Sequence, residues 1–312
     1  MHIAVLGNPN SWYLQDLKRA AGLRTNGTIR FSSLPFSAVA SSITPKSDIA
    51  ISVGAQSLEQ FDAVLVRTMP PGSLEQVIFR MDALALFAQQ GGIVLNSPRA
   101  IEIAVDKYLS LALLAQAQIS VPRTHICQTV DEAMAIYEQW GPELVIKPLF
   151  GGEGRGITRV SDQPLALRAF KMISQLDGII YLQEYIAHAG FDIRILVVGE
   201  KTFSMRRINP DDWRTNVSRG ATVEHYEPTD ELIQLAKRSA HTVKAQIAGV
   251  DILIAPDGTP TVLEVNAVPG WKGLAKATET DIALEILLFI EEQVANGRRN
   301  ISNQELGSNR KS

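Results

Sequence analysis

Three oxygen-bearing side chains lie close together late in the chain: Asp251, Glu264 and Asn266. Glu264 and Asn266 are two apart in VLEVN, so on a strand both leave the same face. Pro256-Asp257-Gly258 separates the apolar runs 250–254 and 262–265 and reads as a hairpin turn, which carries Asp251 to the neighbouring strand. Three oxygens on one face suit a hard cation such as Mg2+, usually held by one or two carboxylates plus substrate phosphates. Read alone, the same residues also describe a solvated polar face, although Leu263 and Val265 mark the strand's other face as buried.

A second group precedes the first. The apolar run LVIKP carries Lys147, and Gly151-Gly152-Glu153-Gly154-Arg155-Gly156 follows it. An ammonium inside an apolar strand is costly to bury without an anion. Glycines let backbone N–H groups turn inward onto phosphate oxygens. The loop is not a P-loop, because no Lys-Ser/Thr pair follows the glycines. It is not Gly-x-Gly-x-x-Gly either, because Ile157 stands where the last glycine belongs. Such a loop alone is more often a flexible turn; with Lys147 it favours a phosphate site. Arginines form a third group: Arg194 within an apolar strand, Arg206 and Arg207, then Arg214 and Arg219 after Trp213. Singly these are commonly solvated. Clustered against phosphates they could clamp a transferring phosphoryl group.

Positioning these groups requires an α/β framework. Residues 3–6 read as a buried strand ending at Gly7-Asn8-Pro9-Asn10; 12–22 and 74–90 have helical spacing; 63–66 and 93–95 read as strands. Their alternation implies a parallel sheet with helices on its faces and ligands at the carboxyl ends of the strands. Asn96-Ser97-Pro98 reads as a domain junction. Beyond it the pattern predicts a helix over 100–117, a strand over 124–127 and a helix over 131–140 with Thr129 or Asp131 near its start. Strands over 144–148 and 181–186 follow, then a strand-rich stretch from Asp192, a helix over 230–247, the hairpin, and a last helix over 281–295. The tail from Asn296 is polar without a periodic apolar face and is expected to be disordered.

Composition narrows the function class. The chain has 312 residues, 46% hydrophobic, with 30 basic and 33 acidic residues, so no basic field points to nucleic acid. No run of about 20 apolar residues predicts a membrane span, and the start MHIAVLG is too short and too soon polar for a signal peptide. A cytoplasmic protein is expected. The one cysteine, Cys127, excludes an internal disulfide framework or a Cys-rich metal site and reads as a small buried hydrophobe. His2, His125, His188, His225 and His241 have no metal-ligand spacing, and there is no Gly-x-Ser-x-Gly elbow. Covalent hydrolase chemistry is disfavoured.

Together these pieces resemble the ATP-grasp superfamily, and within it the RimK-like α-L-glutamate ligases, over residues 96–290 and more weakly before. The resemblance implies an ATP-grasp fold behind an N-terminal parallel-sheet α/β domain (1–96), a small lid subdomain (97–184), a large subdomain with the metal site (185–295) and the disordered tail (296–312). Asp106-Lys107 looks like the first ATP-contacting lysine segment, and Lys147 like the second lysine, on the α- and β-phosphates. Residues 151–156, with Gly152 and Gly154, look like the mobile lid. Gln183-Glu184-Tyr185-Ile186 resembles the adenine hinge, with Glu184 at the adenine amino group. Asp192-Ile193-Arg194 matches the family's DIR strand, which would set Asp192 on the ribose. Arg214-Thr215-Asn216 through Arg219-Gly220 resembles the R-x-N-x-x-R-G segment, with Ser218 where a histidine often stands. Gly249-Val250-Asp251 and Glu264-Val265-Asn266 match the metal strands.

The implied reaction uses ATP with Mg2+ or Mn2+. A carboxylate takes the γ-phosphoryl group, and an amine displaces phosphate from the acyl phosphate to give an amide. Arg219 and Arg194 would stabilise the charge on the tetrahedral centre. The family's usual amine is L-glutamate. The stretch from Arg67 to Gln76 resembles the tetrahydromethanopterin-linked branch, which implies a small acidic acceptor. Arg67, at a strand's carboxyl end, would then be either a surface charge or an anion contact. Two other readings stay open: a ligase acting on a protein C-terminus or carrier protein, and an ATP-binding regulator without catalysis. A homo-oligomer is compatible with either.

Overall fold

The computed structural model describes residues 1–308 except Asn26, Lys46, Ser47 and Glu153, with side chains described through Arg298. The first part builds β1 (His2–Leu6), α1 (Trp12–Gly22), β2 (Arg30–Leu34), a small antiparallel sheet of β3 (Val39–Ile43), β4 (Ile49–Val53) and β5 (Gln56–Ser57), then β6 (Ala63–Val66), α2 (Leu74–Gln89) and β7 (Val94–Leu95). β2-β1-β6-β7 is a parallel sheet. The chain leaves β1 towards β2 on one side and β6 towards β7 on the other, so the strand order switches between β1 and β6. Arg67 follows β6 at that point. Ser11 caps α1, and Ser73 with Gln76 closes a capping box on α2. Strands β2 to β5 escape the sequence reading because they are short and mostly half-exposed, with little apolar run.

The middle part comprises α3 (Pro98–Val105), α4 (Lys107–Gln116), β8 (Thr124–Cys127), α5 (Val130–Trp140), β9 (Leu144–Lys147), β10 (Thr158–Val160), α6 (Gln163–Gln175) and β11 (Ile180–Glu184). The single helix expected over 100–117 is two helices. Asp106 is extended (φ −90°, ψ 104°), ends α3, and caps α4 by accepting from the N–H groups of Tyr108 (2.9 Å) and Leu109 (3.0 Å). A carboxylate that can bind two orphan amides competes with continuous helix. The break sets Lys107 at the first position of α4. The antiparallel order β10-β9-β11-β8 leaves β8 at an edge, with α5 and α6 packed on one face around Ala133, Tyr137, Ala166 and Phe170.

The last part holds β12 (Phe191–Val198), β13 (Lys201–Ile208), β14 (Thr222–His225), α7 (Asp230–Thr242), β15 (Ile247–Ile254), β16 (Pro260–Asn266), α8 (Lys272–Thr278) and α9 (Ile282–Ser308). Order β14-β13-β12-β15-β16 is wholly antiparallel. Alternation divides it cleanly. Ile193, Ile195, Val197, Val250 and Ile252 face α7 in one core, while Leu196, Val198 and Met205 face the other way. That second core also contains Ile3, Val5 and Leu65 of the parallel sheet and Ile286, Leu287 and Ile290 of α9. Each such side chain contributes about 2 kcal/mol on burial, so the chain's last helix closes the first sheet. α9 also continues to Ser308, past the Asn296 at which the apolar pattern fades; the last four residues of the expected tail, 309–312, lie outside the described residues.

Asn96, at the expected junction, is buried and fully used. Its Nδ2 donates to the carbonyls of Ile247 (2.7 Å) and Ala267 (2.6 Å), and its Oδ1 accepts from the N–H groups of Gln246 (2.8 Å) and Ile247 (2.9 Å). One side chain thus ties the end of the parallel sheet to the start of β15 and to the residue after β16. Among the described residues no helix is long and apolar enough to cross a membrane.

Candidate active site

The antiparallel register collects the site. Asp192 pairs with Arg207 across β12 and β13, Arg194 with Asp251 across β12 and β15, and Asp251 with Glu264 across β15 and β16. Directly opposed residues share a face, so all five lie on the side that further along the strands carries Leu196 and Val198. The sequence reading put Leu263 on the buried far face of β16. The register shifts between Asp251 and Ile252, so that Glu264 opposes the first and Val262 the second. Leu263 is the extra residue of a bulge, and it lines the cleft with Leu253.

That cleft lies between the small sheet and this face. Its wall brings together Lys107, Lys147, Gly152, Gly154, Glu184, Tyr185, Asp192, Arg214, Asn216, Asp251 and Glu264. Arg194, Arg219 and Asn266 are not part of the wall. Arg194 sits behind Asp251, Arg219 is on the exposed turn after Asn216, and Asn266 Oδ1 accepts from the Val268 N–H (2.9 Å). Glu153 of the glycine loop lies outside the described residues.

Charge in the wall is unevenly spent. Arg194 grips Asp251 with Nε to Oδ1 and Nη2 to Oδ2, both 2.6 Å. Arg207, almost wholly buried, donates to both oxygens of Asp192 and lies 2.8 Å from Asp251 Oδ2. Burial alone would raise the Asp251 carboxyl, but the charges of Arg194 and Arg207 hold it at about 2. Burial likewise opposes the charge on Arg207, and Asp251 and Asp192 outweigh it, raising the group above its ordinary value. Glu264 accepts no hydrogen bond among the described residues. It is the anion that offsets the burial of both lysines: burial pushes Lys147 down to about 8 and lowers Lys107, while Glu264 pulls each back up. Two desolvated ammonium groups facing one unbonded carboxylate leave room for a polyanion.

The glycine loop is stitched down on the arginine segment. Gly154 has φ +70°, and a Cβ there would run into Asn216 Oδ1. Arg219 Nη2 reaches the Gly154 carbonyl (3.4 Å), Arg214 Nη1 the Ile157 carbonyl (3.5 Å), and Lys107 Nζ the Gly151 carbonyl (2.5 Å). Arg214 is oriented by Asp212 (2.6 Å), an acidic partner the sequence reading passed over. The Glu184 carboxylate accepts from the Arg123 N–H (2.7 Å), so at the hinge this side chain is already engaged. Tyr185 lies between the Arg159 guanidinium (3.8 Å to the ring) and the edge of Trp213 (5.9 Å).

Arg207 is the main residue the sequence reading did not place. It had named Arg206 and Arg207 together. Period-two alternation in TFSMRRI separates them, since Arg207 shares its face with Met205 and Arg206 pairs outward with Glu224. Arg67 is neither a surface charge nor open to the cleft. It packs between the rings of Tyr13 (4.9 Å) and Trp271 (4.5 Å) and donates to the Pro269 carbonyl (2.9 Å), while its Nε is buried without a partner.

A model of the RimK-like ATP-grasp domain matches residues 104–290. The chain is 31% identical to the tetrahydromethanopterin:α-L-glutamate ligase of Methanosarcina acetivorans, over 80% of this chain and 86% of that protein. It is 32% identical to a ribosomal protein bS6–L-glutamate ligase of Escherichia coli, over 93% and 96%. The solved structure of the ATP-grasp ligase PsnB with minimal precursor, Mg and ADP superposes with TM-score 0.70 at 22% identity, covering 94% of this chain and 98% of that one. On the domain match and these identities, the chain belongs to the RimK-like ATP-grasp family of ADP-forming carboxylate–amine ligases.

Proposed function

We propose that this enzyme adds L-glutamate to the carboxylate of a small acidic cofactor, of the tetrahydromethanopterin type. One observation carries the site assignment: two partly desolvated lysines, the stitched-down glycine loop and the Asp251–Glu264 pair converge on one cleft. Lys107, Lys147 and the loop N–H groups hold the triphosphate, and the backbone around Glu184 and Tyr185 holds the base. Arg207, paired with both Asp192 and Asp251 at the cleft wall, fixes the orientation of Asp251. Asp251 and Glu264 in the cleft wall would offer hard oxygens to Mg2+, Glu264 without a competing hydrogen bond; Asn266, outside the wall, would join them only by sharing the oxygen that accepts from the Val268 N–H. When bound, the cation neutralises phosphate charge. Asp251 would hold it only while sharing its oxygens with Arg194 and Arg207.

The acceptor carboxylate attacks the γ-phosphorus, ADP leaves, and the amine nitrogen then displaces phosphate from the acyl carbon. Loop closure through Gly154, Asn216 and Arg219 keeps water from the acyl phosphate. A peptide or protein acceptor is the second reading, favoured by the relative that modifies bS6 and by the precursor bound to PsnB.

Purified protein supplied with ATP, Mg2+ and L-glutamate should release ADP only on addition of an acceptor. Mass spectrometry of metabolites from cells with and without the gene should show a small molecule gaining one glutamyl unit. The same gain on a protein band, with none in the metabolites, rejects the small-cofactor acceptor.

A further inference from the structure

The outer face of the small sheet holds a group that the sequence reading left as an isolated histidine and a buried thiol. His125 and Cys127 are two apart on β8, so both point to the side where α5 packs. β8 is the edge of its sheet, so no further strand flanks it on that side. After a two-residue connection, Thr129 caps α5 by accepting from the Glu132 N–H (3.3 Å), which sets Glu132 in the first turn above the strand end. The Glu132 Oε1 lies 3.0 Å from His125 Nε2. One imidazole nitrogen, the Cys127 sulfur and one Glu132 oxygen all lie within 4.8 Å of one another.

We propose that His125, Cys127 and Glu132 form a metal site separate from the nucleotide cleft, selective for borderline-soft divalent cations of the Zn2+ class over Mg2+. Tetrahedral zinc, with bonds of about 2.0–2.3 Å, needs ligand atoms about 3.5 Å apart. The three groups, within 4.8 Å of one another, would draw in by about 1 Å to reach that spacing, with the Cys127 thiol leaving the Thr129 carbonyl. The donor set is one thiolate, one imidazole and one carboxylate, and the first two disfavour Mg2+. The gradient of exposure suits entry of an ion: Cys127 is buried, His125 half-buried and Glu132 exposed, which leaves a fourth position to water. On binding, the S–H bond breaks, a sulfur–metal bond forms and the proton passes to solvent; no electron changes hands.

The place of the site gives it a structural consequence. β8 also supports the hinge: Thr124 Oγ1 accepts from Gln183 Nε2 (2.9 Å), and the Arg123 N–H donates to Glu184 (2.7 Å). A metal joining β8 to α5 fixes the strand from behind, on the face away from the cleft.

The chain contains one cysteine, so any sulfur-to-cobalt charge-transfer band reports Cys127. The test is titration of the full-length protein with Co2+ in excess Mg2+. The expected result is a near-ultraviolet charge-transfer band and the visible bands of a tetrahedral ion, saturating at one cobalt per chain and bleached by Zn2+. Cys127→Ala should abolish the band; His125→Asn and Glu132→Gln should each weaken cobalt affinity by about tenfold or more. Absence of the band in the unmodified protein overturns the proposal, as does competition by Mg2+. If Cys127→Ala fails to fold, the half-buried His125 decides: a band of unchanged affinity in His125→Asn means that cobalt binds the thiol without the imidazole, and the three-residue site is overturned.

Discussion

Arg194 holds both carboxylate oxygens of Asp251, each at 2.6 Å, from the strand directly beside it. The residue expected to ligate the cation is therefore also the counter-ion of a mostly buried guanidinium. Arg194→Met removes one of two cations from a buried carboxylate. Breaking such a pair typically costs 3–5 kcal/mol; with Arg207 still in place, about 3 kcal/mol is expected. Chemical denaturation without nucleotide measures it, and a loss indistinguishable from zero would show that Arg207 alone suffices.

Glu264 accepts no comparable hydrogen bond, so its removal tests the metal site most directly. Glu264→Ala is expected to lower ADP release more than about 100-fold, beyond the loss usual for groups that only orient metal ligands, and to lower the unfolding midpoint as well, because Lys107 and Lys147 lose the anion that faces them. Unchanged turnover in this variant would sink the metal assignment.

Lys147 carries the pH dependence. Its folded pKa is depressed to about 8 from the ordinary 10.5. The unfolded chain thus binds more protons between these values, and nucleotide-free stability should rise with pH across that window. Phosphate favours the ammonium form, so ATP affinity should fall as pH rises through about 8. Binding isotherms across this range test the direction; Lys147→Met should bind ATP weakly and lose this slope.

Gly154 occupies a left-handed conformation with Asn216 against it. Gly154→Ala costs about 1–2 kcal/mol in backbone strain alone, roughly tenfold in the population of the docked loop, before the clash is counted. Turnover should fall at least that much, with faster proteolytic cleavage between 151 and 157. Equal cleavage rates in the two proteins would refute the stitched-loop account.

Asp106 divides one apolar pattern into two helices. Asp106→Ala should cost about 1 kcal/mol for the lost cap and raise KM for ATP, because Lys107 then leaves the first position of α4. A stability loss with unchanged KM would separate the cap from the lysine.

Much of this was legible in the residues. Period-two spacing put Glu264 and Asn266 on one face, the Pro256-Asp257-Gly258 turn brought Asp251 beside them, and a lysine in an apolar strand followed by glycines put Lys147 and the loop together on one cleft. These signals are local, and strand alternation and turn chemistry act within a few residues. The bulge at Leu263, the break at Asp106 and the choice of Arg207 over Arg206 needed the fold, because each depends on a register or a competing hydrogen bond set by distant pairing. The pairing of Arg194 and Arg207 with Asp251 depends on strands some 50 residues apart in the chain. Sequence spacing therefore determined which oxygens and cations share a strand face or a loop. Only the tertiary structure decided which are already neutralised by one another, because burial makes charge pairing between neighbouring strands stronger than any preference written along one of them.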